Sequence, residues 1–224
     1  MILLGGLVFR DQSQQVETIL LRKMAGAVSS PRDWIGVSNG PFGLFTTGGP
    51  TRLESDTAVL LSQDADIPNF PRLASLIGRR EFRGGLLSAL YRLDGWRFVS
   101  RLEGGFSVAL WDRERHELVL AVDRFGIKQL HYAVDNTMLA FASKPSGLLT
   151  LPGVEQRIDP TAALQSLRSG FVAPQPSMWG AIRRLAPGQL LRWRDGQLKI
   201  EINVTPKIRG RREPDRLYGA EEAM

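Results

Sequence analysis

The sequence predicts an α+β fold in which two sheets pack face to face with helices outside them. Three observations carry this. Phe106, Val108 and Leu110 alternate with smaller or polar neighbours, and Leu118, Leu120 and Val122 repeat that period-2 pattern after the charged turn Asp112 to Glu117. Other stretches have helical spacing, as in Val16, Ile19, Leu20 and Met24. The order of elements (strands, two helices, strands, one helix and a hairpin) suits a sheet-on-sheet core flanked by helices.

Taken in order, Ile2 to Phe9 reads as a buried strand and Gln14 to Ala27 as an amphipathic helix, with Ser29 to Asp33 a loop. Phe42 to Thr46 and Thr57 to Leu61 read as strands separated by the Gly48-Gly49-Pro50 break. Asn69 is placed to cap a short helix through Leu73 to Ile77, and Gly85 to Leu93 forms a second helix that stops near Gly95. Residues 101–148 then read as three strands, the last from Met138 to Ala142 after an Asp135-Asn136 turn. Asp159 offers an N-cap and Pro160 a first-turn proline for a helix ending at Gly170. Gln189 to Trp193 and Gln197 to Ile202 flank Asp195-Gly196, a strong hairpin signal.

Composition narrows the function classes. At 224 residues, 43% hydrophobic and 23% charged, the chain is long enough for a sizeable core and is neither disordered nor fibrous. No apolar run reaches the roughly 18 residues that a membrane helix needs, and the apolar start lacks the basic segment and cleavage box of a signal peptide. The absence of cysteine excludes disulfides and thiolate metal sites, which fits a cytoplasmic protein. A net charge of +6 raises the question of nucleic acid. The only dense basic cluster, Lys207, Arg209, Arg211, Arg212 and Arg216, has no interleaved aromatic residues, so it reads as a solvated linker. His116 and His131 stand apart from any carboxylate cluster and read as surface or packing residues, and no metal is expected.

Beyond the pattern, the wording of residues 101–148 resembles the asparagine synthetase family. Its glutaminase half carries Leu-x-Gly-Met-Phe-Ala-Phe-Ala-Leu-Trp-Asp, then Asp-Arg-Phe-Gly-Ile-Lys-Pro-Leu-Tyr-Tyr, then a strand ending in Phe-Ala-Ser-Glu. Asp123, Arg124, Phe125, Gly126, Ile127 and Lys128 keep the middle motif intact. Gln129, His131 and Lys144 depart from the family's Pro, Tyr and Glu. Further on, Ile182 to Gln189 is similar to the family's Ile-x-x-Leu-Pro-Pro-Gly-His. The resemblance implies the four-layer αββα sandwich of N-terminal-nucleophile amidohydrolases over residues 1–204, with 205–224 a linker to, or the start of, a synthetase domain.

The resemblance also implies a glutaminase site, and this sequence departs from it at each part. The family's attacking cysteine follows the initiator methionine, where this chain has Ile2, a side chain with no heteroatom. The arginine that pairs with the glutamine carboxylate is replaced by Ser29, with Arg32 three residues out of register. The Asn-Gly oxyanion pair is replaced by Asp64 and Ala65, so an acceptor stands where a donor belongs. The aspartate that holds the substrate's amino group is replaced by Arg83. Ser29, Ser30, Thr46 and Thr47 are hydroxyls that lack any motif marking them as nucleophiles. No catalytic residue is therefore expected, and Asp123 to Lys128 reads as an architectural or interface motif.

The expected function is the non-catalytic glutaminase-like domain of an ATP-dependent amide ligase. In the family a Ser-Gly-Gly-x-Asp-Ser loop adenylates a carboxylate with ATP and magnesium, and an amine then attacks. β-Lactam synthetases and lasso-peptide cyclases resemble this scheme and use an internal amine. That loop is absent from residues 1–224, so the ATP and Mg site is expected in a synthetase domain or partner subunit, with a peptide or small-molecule substrate. Two alternatives are a free-standing pseudoenzyme that binds a peptide or partner, and half of an ammonia-dependent asparagine synthetase.

Overall fold

The computed structural model describes residues 3–29, 34–47, 53–55, 58–78, 85–170 and 177–202. In chain order β1 (Leu4–Phe9) leads to α1 (Thr18–Val28), followed by β2 (Trp34–Asn39), β3 (Phe42–Thr47), β4 (Leu53–Ser55) and β5 (Val59–Asp66). Two helices, α2 (Phe70–Leu76) and α3 (Leu86–Asp94), and a 3-10 helix over Gly95–Arg101 precede β6 (Gly105–Asp112) and β7 (Glu117–Val122). Then come β8 (His131–Val134), β9 (Met138–Ala142), α4 (Pro145–Leu148) and α5 (Pro160–Ser169). The short β10 (Arg183–Arg184) and the hairpin of β11 (Gln189–Arg194) and β12 (Gln197–Ile202) complete the described fold.

The strands form two six-stranded antiparallel sheets, in the orders β10-β8-β9-β1-β3-β2 and β12-β11-β7-β6-β5-β4. Side-chain alternation sorts the interior into three apolar layers. Leu4, Val8, Leu60, Trp111, Leu120, Phe141 and Trp193 point between the sheets, where Phe42 stacks on Trp111 at 4.8 Å. The intervening positions point outward. Leu7 and Ala140 meet α1 and α4, whereas Val108, Leu110 and Val119 meet α2, α3 and the 3-10 helix. The result is the sheet-on-sheet core flanked by helices that the pattern predicted, in the four-layer αββα form that the resemblance implied. No helix among the described residues is long and apolar enough to cross a membrane.

Local chemistry explains where elements end. Asp159 Oδ1 accepts the Thr161 and Ala162 amides at 2.8 and 3.0 Å and caps α5. Asp195 and Gly196, at φ 51° and 73°, close the last hairpin with the paired left-handed residues of a type I′ turn.

Several elements differ from the sequence reading. α1 starts at Thr18 rather than Gln14, because the Val16 amide is held by the Gly40 carbonyl at 2.9 Å and cannot enter the helix. β5 runs past Leu61 through Ser62, Gln63 and Asp64, polar residues that pair with β6 along its length. Asn69 does not cap α2 with its side chain. Its amide donates to the Arg101 carbonyl at 2.8 Å and its carbonyl accepts the Glu103 amide at 3.1 Å, tying the helix to the approach of β6. β2, β4, β8 and β10, which are short or weakly patterned, went unread. The tail beyond 204, with its basic cluster, lies outside the described residues.

Candidate functional site

The two sheets part at the N-terminal end of β1 around a cavity of about 350 Å³. Leu3 and Ile127 supply apolar wall, Asp64 comes from β5, Lys128 and Gln129 from the loop after β7, and Ser143 and Lys144 from the end of β9. Four separate segments of the chain therefore meet at one point.

The start of the chain is clamped there. The Leu3 amide donates to Thr47 Oγ1 at 3.0 Å and the Leu4 amide to Ser143 Oγ at 3.0 Å, while the Ser143 amide returns to the Leu4 carbonyl at 2.8 Å. The Thr47 and Ser143 hydroxyls are thus committed to holding β1. Thr46 is likewise fully buried, its hydroxyl donating to the Thr47 carbonyl. Ile2 lies outside the described residues.

Asp123 explains the shape of the loop that follows β7. It is fully buried, and its carboxylate accepts four backbone amides: Phe125 and Ile127 on Oδ1 at 2.9 and 3.1 Å, Lys128 and Phe106 on Oδ2 at 2.9 and 3.3 Å. Its carbonyl accepts the Gly126 and Gly188 amides at 3.0 and 2.9 Å. Gly126 sits at φ 66°, and a Cβ there would stand 3.0 Å from Pro187 Cγ, so glycine meets both a conformational and a spatial demand. One buried acid thus folds the motif into a rigid turn. That turn aims Lys128 into the cavity and leaves Phe125 and Ile127 67% and 64% exposed at the surface. Arg124 is half-buried and makes no ion pair or hydrogen bond with another described residue.

The charges of the cavity follow from this geometry. Asp64 Oδ1 lies 3.0 Å from Lys128 Nζ, a partly buried pair. Ser107, directly opposite Asp64 in the β5–β6 pairing and on the same face, is buried with its hydroxyl unpartnered among the described residues. Ala65 points the other way, into the helix-covered layer, so of the two oxyanion-pair positions only Asp64 reaches the cavity. Lys144 Nζ donates to the Val28 carbonyl at 2.9 Å, and Ser146 Oγ donates to that of Ala27 at 2.8 Å. Together they cap the C-terminal carbonyls of α1. Ser29 ends α1 through its own amide, bonded to the Ala25 carbonyl at 3.0 Å, and is not among the lining residues. Arg32 and Arg83 lie outside the described residues.

Sequence reasoning singled out Asp64 and Lys128 for separate reasons, and the fold pairs them. It noted Gln129 and Lys144 only as departures from a motif. That departure was the available signal, since both line the cavity. The histidines lie elsewhere. His116 is exposed and bonds Gln12 Oε1 at 2.9 Å. His131 is buried in β8, where desolvation and then the nearby Arg184 push its pKa down to about 4. Among the described residues no cluster of three or more His, Asp or Glu is arranged to hold a metal.

Two six-stranded antiparallel sheets enclosed by helices, with a cavity at the N-terminal end of a central strand, have the architecture of the N-terminal-nucleophile fold. The chain belongs to the glutamine amidotransferase domain family, whose profile matches residues 81–203, more than half its length. It is related to asparagine synthetases: the glutamine-hydrolysing asparagine synthetase 1 of Bacillus subtilis strain 168 is 35% identical over 104 residues, 46% of this chain and 16% of that protein. Amidase chry2 of Gibberella zeae is 31% identical over 107 residues, 47% of this chain and 15% of that protein. Those matches therefore span only 15–16% of the relatives' own length. Among solved structures, glutamine phosphoribosylpyrophosphate amidotransferase from B. subtilis, complexed with ADP and GMP, superposes with a TM-score of 0.61. At 11% identity over 91% of this chain and 50% of that one, the likeness is one of fold alone.

Proposed function

We propose that this chain is the non-hydrolysing, glutaminase-like domain of an ATP-dependent amide ligase of the asparagine synthetase kind. The observation that carries this is the Asp64–Lys128 pair at the end of β1. A tetrahedral oxyanion needs fixed donors, and a carboxylate at that place raises its energy instead of lowering it. Ile2 supplies no attacking atom in the residue before Leu3, and the sequence contains no cysteine at all. In this reading the carboxylate is adenylated by a synthetase domain or subunit that holds ATP and magnesium in the cytoplasm. The attacking amine is ammonia or an amine of the substrate, as in peptide or β-lactam cyclisation. The present domain supplies scaffold and a wall of the shared assembly.

The test is direct. The protein incubated with glutamine should release no glutamate, and a glutamine-analogue electrophile should add no mass to it. Glutamate production above the buffer control would refute the proposal. A second reading, a free-standing partner-binding module, is favoured by the rigidly exposed Phe125 and Ile127 beside the cavity. A Ser-Gly-Gly-x-Asp-Ser loop in the same gene or its neighbour would decide for the ligase.

A further inference from the structure

Three residues that line the cavity stand where the sequence departs from the family wording it resembles: Asp64, Gln129 and Lys144. These three come from β5, the loop after β7 and the end of β9, and converge on one cavity.

Their charges are unequal in effect. Lys128 is matched by Asp64 at 3.0 Å. Lys144 is half-buried, spends one of its three N–H donors on the Val28 carbonyl and makes no ion pair with another described residue. Gln129 is exposed at the mouth of the cavity and its carboxamide has no hydrogen-bond partner among the described residues. Among the described residues the lining thus carries one more positive charge than negative, with spare N–H donors on Lys144 and Gln129, against the apolar walls Leu3 and Ile127. Lys144 is met by the partial negative charge of the α1 C-terminus and by no full negative charge within ion-pair distance, and an anion that enters beside it adds a charge-assisted hydrogen bond.

We infer that this cavity is a binding site for a small monocarboxylate, held by Lys144 and Gln129 with its apolar chain against Leu3 and Ile127. The inference rests on the reading of the domain as non-hydrolysing, since an active glutaminase would keep the space for glutamine. A single negative charge with an apolar body matches the excess charge and the walls. A phosphate dianion offers nothing to Leu3 and Ile127. A free amino acid would bring its ammonium beside Lys128 and Lys144. At about 350 Å³ the cavity is at the small end of ligand pockets and suits an acid of few carbons.

The experiment uses the whole chain with butyrate as the probe, followed by saturation-transfer NMR, with inorganic phosphate and glutamine titrated in parallel and glutamate measured in the glutamine sample. Butyrate should bind saturably, and phosphate and glutamine should not compete with it. Lys144→Met should weaken butyrate by about tenfold or more, the scale of a lost charge-assisted hydrogen bond. Lys144→Arg, which keeps charge and donors, should retain binding and guards against a folding artefact in the first variant. Asp64→Asn frees Lys128 and should tighten butyrate by about threefold. The inference fails if butyrate does not saturate, if phosphate binds equally well, or if Lys144→Met binds as the parent does. Glutamate release would instead overturn the non-hydrolysing reading on which the inference stands.

Discussion

Replacing Asp123 by alanine removes one carboxylate and leaves four backbone amides, those of Phe106, Phe125, Ile127 and Lys128, without their acceptor. The Phe106 amide is buried within the β5–β6–β7 sheet, where water cannot replace the lost bond, whereas the other three are partly buried and recover some hydration. A hydrogen bond to a charged acceptor contributes about 1.5–3 kcal/mol and the four are not independent, so a loss of about 3–5 kcal/mol is expected. Asp123→Asn keeps one acceptor oxygen but turns an amide toward two N–H donors, and should lose about 2–4 kcal/mol. Urea unfolding gives the stability change from the midpoint at constant slope. Amide exchange at residues 106 and 125–128 should accelerate beyond what global destabilisation explains. A loss under about 1 kcal/mol for Asp123→Ala would mean that this carboxylate does not organise the loop, and the architectural account of the motif would be wrong.

Three further outcomes follow from individual residues. Arg124→Ala should change stability by less than about 1 kcal/mol, because Arg124 has no ionic partner among the described residues; a larger loss in the same unfolding assay would reveal one. On the proposed reading, which puts Asp64 at the oxyanion position, Ile2→Cys should not restore glutamine hydrolysis, because one missing donor alone costs about 10²–10³ in rate; glutamate release by that variant would contradict this. Because burial lowers the His131 pKa to about 4, the unfolded chain binds a proton there before the folded one does as pH falls from about 6.5. Stability from this group is complete above about pH 6.5 and is lost as pH falls toward about 4, by about 3 kcal/mol at most. His131→Phe should flatten that part of the stability–pH curve, and an unchanged slope would show that the histidine is charged or solvated in the fold.

Much was legible in the residues alone. Alternation in β6 and β7, the Asp159-Pro160 helix start and the Asp195-Gly196 turn depend on neighbours in the chain, and local physics sets them wherever they occur. The departures from the family wording at Ile2, Ser29, Asp64 and Arg83 needed no coordinates either, since a motif names its positions. Of the strands that escaped, β4, β8 and β10 are short and β2 is weakly patterned, so that their place comes from the partners they pair with, which no local pattern reports. The same limit applied to Asp123. Its sequence context marks a turn, but only the folded loop brings four amides to one carboxylate. The site shows the division most clearly. Residue types marked the departures from the glutaminase wording, whereas the convergence of Asp64, Lys128, Gln129 and Lys144 on one cavity is a product of strand order and sheet packing. Charge complementarity acts through space, so what the cavity can hold is written in distances that a linear sequence does not contain.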